Sequence, residues 1–202
     1  LIRIIEPIFD KTFIYDSCAN RIGKGTLFAI NRFEKFKRKV TFNLKKEAFC
    51  LKADIKHYFQ EMDREVLIRI IQRKIKCTKT IQLIRLILNN FDLNKGMPLG
   101  NLTSQLLVNM YMNEFDQFMK HILKAKYYIR YADDFVIMSE NQDRLEEYIP
   151  IIAEFLNEKL KLTLHPDKVF IKTLASGIDF LGWVHFPDHR VLRTTTKRRM
   201  LK

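Results

Sequence analysis

Residues 127–138 read YYIRYADDFVIM, two largely apolar runs separated by a pair of adjacent aspartates. Aromatic and β-branched residues on both sides of a short polar break are typical of a β-hairpin. Asp133 and Asp134 therefore lie at the tip of the predicted hairpin, where the flanking strands hold them near the core. Because a buried carboxylate is costly unless it pairs with Lys or Arg or binds a cation, the hairpin predicts an acidic functional site.

A third acid, Asp54, ends the apolar run 48–55, which predicts another strand. Carboxylates that neighbouring strands bring side by side repel each other, and divalent metal ions relieve that repulsion. Magnesium prefers hard oxygen ligands, and two such ions can stabilise the attacking and leaving oxygens of a phosphoryl displacement. An Asp-Asp pair is weak evidence by itself, because acidic residues are common in turns.

The remaining periodicity predicts helices before, between and after these strands. Asp63 is predicted as the N-cap of one helix, and Pro150 should kink or break another. Further predicted helices cover residues 4–15, 26–38, 80–91, 107–122 and 143–160. Short strands are predicted near Leu162, Val169, 180–184 and Val191. This order predicts an α+β fold in which helices pack on one face of an antiparallel sheet.

The net charge favours a polyanionic partner. The 202 residues include 36 Lys and Arg against 23 Asp and Glu, a formal net charge of +13. Such an excess favours binding to phosphate backbones, although a basic surface without any nucleic-acid role has the same composition. No run approaches the roughly 20 apolar residues that span a bilayer, so we expect a cytoplasmic protein with no membrane partner.

The three cysteines predict no metal site. Cys18, Cys50 and Cys77 lie far apart and form no ligand spacing. We expect them to be buried, reduced thiols, as is usual in a cytosolic protein.

Ordered sequence blocks around the acids resemble the reverse transcriptases. The blocks are LKADIKHYF at 51–59, GMPLGNLTSQ at 96–105 and YADD at 131–134. An N-terminal segment, from IEPIF at 5–9 to NRIGKGT at 20–26, resembles the fingers block of bacterial members. The resemblance extends over essentially the whole chain and implies a bacterial or phage-encoded polymerase with the right-hand palm fold.

The resemblance implies partial, helical fingers over residues 1–47 and a palm with its primer-grip hairpin over 48–202. The most N-terminal fingers strands and the C-terminal helical thumb are expected to be absent. The chain begins at Leu1 without methionine, so we expect an excised fragment or a trimmed sequence. The basic stretch 193–202 is interpreted as the beginning of the thumb.

By the same resemblance, Asp54 and Asp133 are the metal-binding aspartates, and Asp134 supports their site. The backbone carbonyl of Ile55 is implied as a further ligand. The implied cofactor is Mg²⁺, as two ions, with Mn²⁺ as a substitute. Lys168, in LHPDK at 164–168, matches the lysine proposed to protonate the departing pyrophosphate, and an ordinary surface lysine is the alternative.

Other matched residues are implied to contact the substrates. Phe59 matches the steric gate that leaves no room for a 2′-OH, which selects deoxynucleotides. Arg21 and Lys24 are candidates for template phosphate contacts, with solvated loop charges as the alternative. The residues implied to bind the incoming nucleotide are Phe59, Pro98, Leu99, Gly100 and Gln105. The residues implied to form the primer grip are Leu181, Gly182 and Trp183.

At two positions this chain departs from the usual reverse transcriptase motifs, and these departures indicate its subfamily. Many reverse transcriptases have Gln where this chain has Leu99, and group II intron enzymes usually have Ser-Pro where it has Ser104-Gln105. The run LGNLTSQ resembles enzymes of diversity-generating retroelements, which copy RNA with errors opposite adenine and work with a small basic accessory protein. Loss of the amide removes a contact that discriminates between base pairs, so we expect low fidelity.

The implied function is RNA-directed DNA polymerisation from an RNA template, a DNA or RNA primer and dNTPs. Defence-associated, retron and group II intron-type reverse transcriptases stay as alternatives. A catalytically silent nucleic-acid-binding palm is disfavoured by the retained acids. An RNA-templated RNA polymerase is disfavoured by Phe59.

Overall fold

The computed structural model describes residues 1–89, 95–97 and 102–201. The helices in the described residues are α1 Ile2–Asp10, α2 Thr26–Val40, α3 Tyr58–Glu61, α4 Arg64–Gln72, α5 Thr78–Asn89, α6 Leu102–Gln117, α7 Gln142–Leu160 and α8 Thr194–Met200. The strands are β1 Ser17–Cys18, β2 Phe49–Asp54, β3 Tyr127–Tyr131, β4 Asp134–Ser139, β5 Phe170–Thr173, β6 Ile178–Phe180, β7 Trp183–His185 and β8 Arg190–Leu192. A π-helical turn, Phe118–Ile122, extends α6, and a 3₁₀ turn spans Leu174–Ser176.

A five-stranded sheet in the order β1-β3-β4-β2-β5 forms the centre of the fold. β2 pairs antiparallel with β4 and β5, and β3 pairs antiparallel with β4. The two-residue β1 runs parallel to β3 at one edge. The strands β6, β7 and β8 form a separate antiparallel sheet.

Both faces of the central sheet are buried, because successive strand residues point to opposite sides. Leu51 and Phe135 pack into a core that they share with α1, α4, α5, α6 and α7. Cys50 and Val136 point the other way, into a second core with α2 and the small sheet. Most of the helices thus pack on one face of the central sheet, as predicted. The other face is covered by α2 and β6–β8, an arrangement that the sequence pattern did not predict.

The predicted α+β class is confirmed, as are the hairpin at 127–138 and the N-cap at Asp63. The Asp63 side chain accepts a hydrogen bond from the Val66 amide at 2.9 Å. The predicted break at Pro150 is wrong, because α7 continues through it. Pro150 lies on the exposed face of α7, where water can reach the carbonyl that loses its amide partner.

Two other expectations are tested by the fold. Cys18 and Cys50 are buried, as expected, but Cys77 is exposed, since it lies in the connection between α4 and α5. Within the described ranges, no helix is long and apolar enough to cross a bilayer.

Candidate active site

Strand register brings the three acids to one end of the central sheet. Asp54, the last residue of β2, lies directly opposite Asp134, the first residue of β4. Residues so paired have Cβ atoms about 4.5–5.5 Å apart. Asp133 occupies the two-residue turn between β3 and β4 with Ala132. A local hairpin and one long-range strand pairing therefore place the predicted acids together.

The electrostatics of the acids show that they repel one another. Burial raises the pKa of Asp133 above its usual value, and the Asp54 and Asp134 carboxylates raise it further against a backbone hydrogen bond and Lys168. Burial also raises the pKa of Asp134, with Asp54 adding to the effect while Lys52 and Lys168 oppose it. Carboxyl groups whose charged forms are disfavoured in this way form a site that a cation stabilises.

Two lysines contact the carboxylates. The Lys168 ammonium lies 3.0 Å from Asp54 Oδ2, and this hydrogen bond raises the pKa of Lys168. The Lys52 ammonium lies 3.7 Å from Asp134 Oδ1 and donates to the Asp179 carbonyl at 3.0 Å. Lys52 belongs to the 51–59 block but was given no role from the sequence, although its position two residues before Asp54 puts it on the same face of β2.

The segment that carries Lys168 is attached to the end of β2 by backbone contacts. The His165 amide donates to the Asp54 carbonyl at 2.8 Å, and the Lys56 amide donates to the Thr163 carbonyl at 2.9 Å. Ile55 forms an isolated antiparallel bridge with Leu164 between these two bonds, and its side chain is buried. The chain thus returns to Asp54 and places Lys168 over it.

The donor atoms at this end of the sheet suit a hard divalent cation. Carboxylate oxygens and a strand-end carbonyl are the ligands that Mg²⁺ prefers. Across residues 1–89, 95–97 and 102–201, no three His, Cys, Asp or Glu side chains are close enough together to enclose an ion. Lys52 and Lys168 contact two of the three carboxylates instead. The assignment of Asp54, Ile55, Asp133 and Asp134 as metal ligands stays a prediction.

Phe59 lies five residues beyond Asp54 and is held from two sides. Its half-buried ring contacts the Tyr58 ring at 5.3 Å between centroids, nearly edge to face. Its carbonyl accepts from the Met97 amide at 2.7 Å. Gly96 has a φ of 80°, and a Cβ there would lie 2.6 Å from the Gln60 carbonyl oxygen, so this close approach requires glycine.

The described part of the 96–105 block therefore packs directly against the segment that carries Phe59. Gln105 is half-buried in the first turns of α6. The predicted nucleotide-binding residues Pro98, Leu99 and Gly100 lie outside the described residues.

The predicted primer-grip segment forms the hairpin turn between β6 and β7. Phe180 pairs with Trp183, and Leu181 and Gly182 form the turn with φ values of 52° and 83°. Positive φ at both central residues is the geometry of a two-residue hairpin turn. A groove of about 470 Å³ adjoins this turn, and its lining includes Thr26, Leu181, Gly182, Arg193 and Arg199. The Lys52 contact with the Asp179 carbonyl joins this hairpin to β2.

The two candidate template contacts are engaged within the N-terminal loop. Arg21 has a side chain only 7% exposed, pairs with Asp10 at 2.6 Å, and donates to the Ile14 and Ser17 carbonyls at 2.9 Å. Lys24 donates to the Tyr15 carbonyl at 2.6 Å and lies 4.0 Å from the Tyr15 ring centroid. Both cations stabilise the loop, and their template contacts stay predictions.

Sequence comparisons identify a protein family and several relatives that this chain resembles. A family model for reverse transcriptase (RNA-dependent DNA polymerase) matches residues 1–185. The group II intron-encoded protein LtrA of Lactococcus lactis subsp. cremoris is 26% identical over 223 residues, which cover 74% of this chain and 36% of LtrA. Protein YkfC of Escherichia coli is 25% identical over 189 residues, covering 74% of this chain and 48% of YkfC. The chain spans less than half the length of either relative.

Solved structures show the same fold at low sequence identity. The truncated apo telomerase of Candida tropicalis superposes with a TM-score of 0.74 at 14% identity, covering 95% of this chain and 44% of that chain. Telomerase of Candida albicans with a fragment of telomeric RNA gives 0.71 at 10% identity, covering 94% and 36%. The predicted polymerase fold of reverse transcriptases is therefore confirmed.

Proposed function

This chain belongs to the reverse transcriptase (RNA-dependent DNA polymerase) family, and we propose that it adds deoxynucleotides to a primer 3′ end on an RNA template. The observation that carries the proposal is the convergence of Asp54, Asp133 and Asp134 at one end of the central sheet. Burial and the neighbouring Asp54 carboxylate raise the pKa of both Asp133 and Asp134, as expected for carboxylates arranged to receive cations.

The residues that would hold two Mg²⁺ or Mn²⁺ ions are Asp54, Asp133 and the Ile55 carbonyl, with Asp134 in support. Bound there, the metal supplies charge stabilisation for an in-line phosphoryl displacement. Lys168 is about half exposed and hydrogen-bonded to Asp54, so its Nζ proton is available to a departing pyrophosphate.

Phe59 accounts for a preference for deoxynucleotides. Its ring is supported by Tyr58, and its backbone is hydrogen-bonded to Met97, so it cannot withdraw without disturbing both contacts. A fixed ring beneath the sugar excludes a 2′-OH, which disfavours RNA polymerase activity.

We also propose that the enzyme copies with low fidelity, as in diversity-generating retroelements, alongside a small basic accessory protein. Leu99 supports this proposal because it replaces an amide that would contact the nascent base pair. Leu99→Gln should reduce misincorporation opposite template adenine, and an unchanged error spectrum would contradict the idea. A group II intron-type enzyme is the second candidate, favoured by the similarity to LtrA.

Primer extension on an RNA template with Mg²⁺ and dNTPs tests the polymerase assignment. The parent chain should extend the primer, and Asp133→Ala should lower the rate at least about 10³-fold, because several kcal/mol of transition-state stabilisation are lost. Asp143→Ala, which removes an exposed acid from the first turn of α7, is the matched control and should keep the parent rate. Equal rates for Asp133→Ala and the parent would overturn the assignment.

A further inference from the structure

Arg130, in β3, is the largest fully buried side chain among the described residues. It forms a two-contact ion pair with Asp116 of α6, with Nε at 2.8 Å from Oδ1 and Nη2 at 2.7 Å from Oδ2. Both side chains are 0% exposed. Because desolvation offsets the attraction in such a pair, an apolar replacement of similar volume is often at least as stable. Stability alone therefore does not explain this pair.

The same guanidinium also holds the turn that carries Asp133. Arg130 Nη1 donates to the Ala132 carbonyl at 2.9 Å. Ala132 has a φ of 55°, a left-handed conformation that is unfavourable for alanine. Its carbonyl immediately precedes the Asp133 amide in the chain. The hydrogen bond from Arg130 thus stabilises a turn that the local sequence does not favour.

Arg130 joins this turn to two other elements. On α6 it contacts Asn109 Oδ1 at 3.5 Å as well as Asp116, and these two residues lie on one face because they are seven positions apart. On β1 it donates from Nη2 to Ser17 Oγ at 2.8 Å. The helix α6 begins at Leu102, inside the 96–105 block, and contains the predicted nucleotide-binding residue Gln105. One buried side chain therefore connects the turn that carries Asp133 with the helix that carries Gln105.

We propose that Arg130 is a positioning residue that holds the Asp133 turn against α6, the helix that also carries Gln105, with Asp116 fixing its guanidinium. This inference rests on the proposed polymerase function. A displacement of a reacting group by about 1 Å can reduce the rate about 10²-fold, so a residue that acts only through Asp133 can still control turnover.

The first test is Arg130→Lys, which keeps a cation beside Asp116. A single ammonium lacks the planar fork and cannot serve Asp116, Ala132 and Ser17 at once. We expect kcat to fall at least about tenfold with a smaller change in the KM for dNTP, and the Mg²⁺ concentration for half-maximal rate to rise. The increase in melting temperature on adding Mn²⁺ without nucleotide should also shrink, which is a measurement independent of activity.

The second test removes the polar cluster while preserving its volume, with Tyr128→Phe, Asp116→Leu and Arg130→Met combined. Tyr128 is included because its hydroxyl donates to Asp116 Oδ1 at 2.7 Å and would otherwise lose its buried partner. We expect a melting temperature close to that of the parent together with a loss of kcat and of the Mn²⁺ shift. A purely structural role for the pair predicts normal activity once stability is restored.

Arg73→Gln with Glu114→Gln is the matched control, since it removes a more exposed ion pair that is also anchored on α6. It should keep the parent kcat and the parent Mn²⁺ shift. Parent-like values of both quantities in Arg130→Lys, or in the folded triple variant, would overturn the inference. An inactive parent chain would contradict the proposed function. The role of Arg130 could still be tested in that case, because the Mn²⁺ shift in melting temperature is measured without turnover.

Discussion

At the scale of single residues, Asp133 illustrates how a candidate metal ligand can oppose stability. Its raised pKa means that the folded state disfavours the charged carboxylate. The resulting penalty is present above the folded-state pKa and disappears below the unfolded value of about 3.9. Stability at this residue therefore falls as the pH rises through that interval, the reverse of a salt-bridged aspartate.

Asp133→Asn should accordingly raise the melting temperature near pH 8, by about 2–4 °C for each kcal/mol of relieved repulsion. The gain should shrink as the pH approaches 4. Thermal unfolding of parent and variant at both pH values measures it. Asp143→Asn serves as the exposed control and should give no gain at either pH, and a lower melting temperature for Asp133→Asn at pH 8 would contradict the electrostatic account.

Lys52 provides a second prediction at this scale. It lowers the pKa of Asp134, so Lys52→Met should raise that pKa further. Because activity is expected to require ionised Asp134, the acidic limb of the pH–rate profile of Lys52→Met should move to higher pH. The loss of the contact with the Asp179 carbonyl should also reduce the maximal rate. The measurement is the rate of primer extension across about pH 5–9, in which the acidic limb reports the ionisation of a carboxyl group. Lys52→Arg, which keeps the cation, should return the acidic limb towards the parent position, and an unshifted limb in Lys52→Met would refute the role.

At the scale of elements, the turn of the β6–β7 hairpin is strained, because its first residue is a leucine. Leu181 occupies a left-handed position with φ of 52°, where Asn before Gly is strongly preferred. Leu181→Asn should therefore stabilise the fold by about 1 kcal/mol, measured as a higher urea midpoint at unchanged slope. Gly182→Ala, at φ of 83°, should destabilise it, and the opposite order of the two effects would exclude this turn geometry.

Element boundaries also show what periodicity can predict. The pattern predicted α2 from Thr26 and the hairpin strands closely, because each buries a regular stripe of apolar residues. The two-residue β1 escaped notice, since two residues carry no periodicity and their parallel pairing with β3 depends on the folded neighbour. The break predicted at Pro150 is absent, because Pro150 lies on the exposed face of α7. Which face of a helix is exposed depends on the tertiary structure.

At the scale of the whole molecule, the net charge of +13 predicts salt-sensitive binding. Affinity for an RNA–primer duplex should fall by at least roughly 10³-fold between 50 and 200 mM salt if six or more phosphates are contacted. Fluorescence anisotropy of a labelled duplex measures this decrease, and the melting temperature at each salt concentration controls for loss of the fold. A flat response would show that the basic surface is not the binding surface.

The fold class, the order of the acidic blocks and the hairpin that presents Asp133 could all be predicted from the amino-acid sequence. The strands of that hairpin follow from apolar alternation between neighbouring residues, and the fold class follows from the order of the elements along the chain. The pairing of charges, such as Lys52 with Asp134 and Arg21 with Asp10, became visible in the folded chain alone. The buried Arg130–Asp116 pair belongs to the same class. Such contacts depend on strand register and helix packing, which bring distant parts of the chain together only after folding.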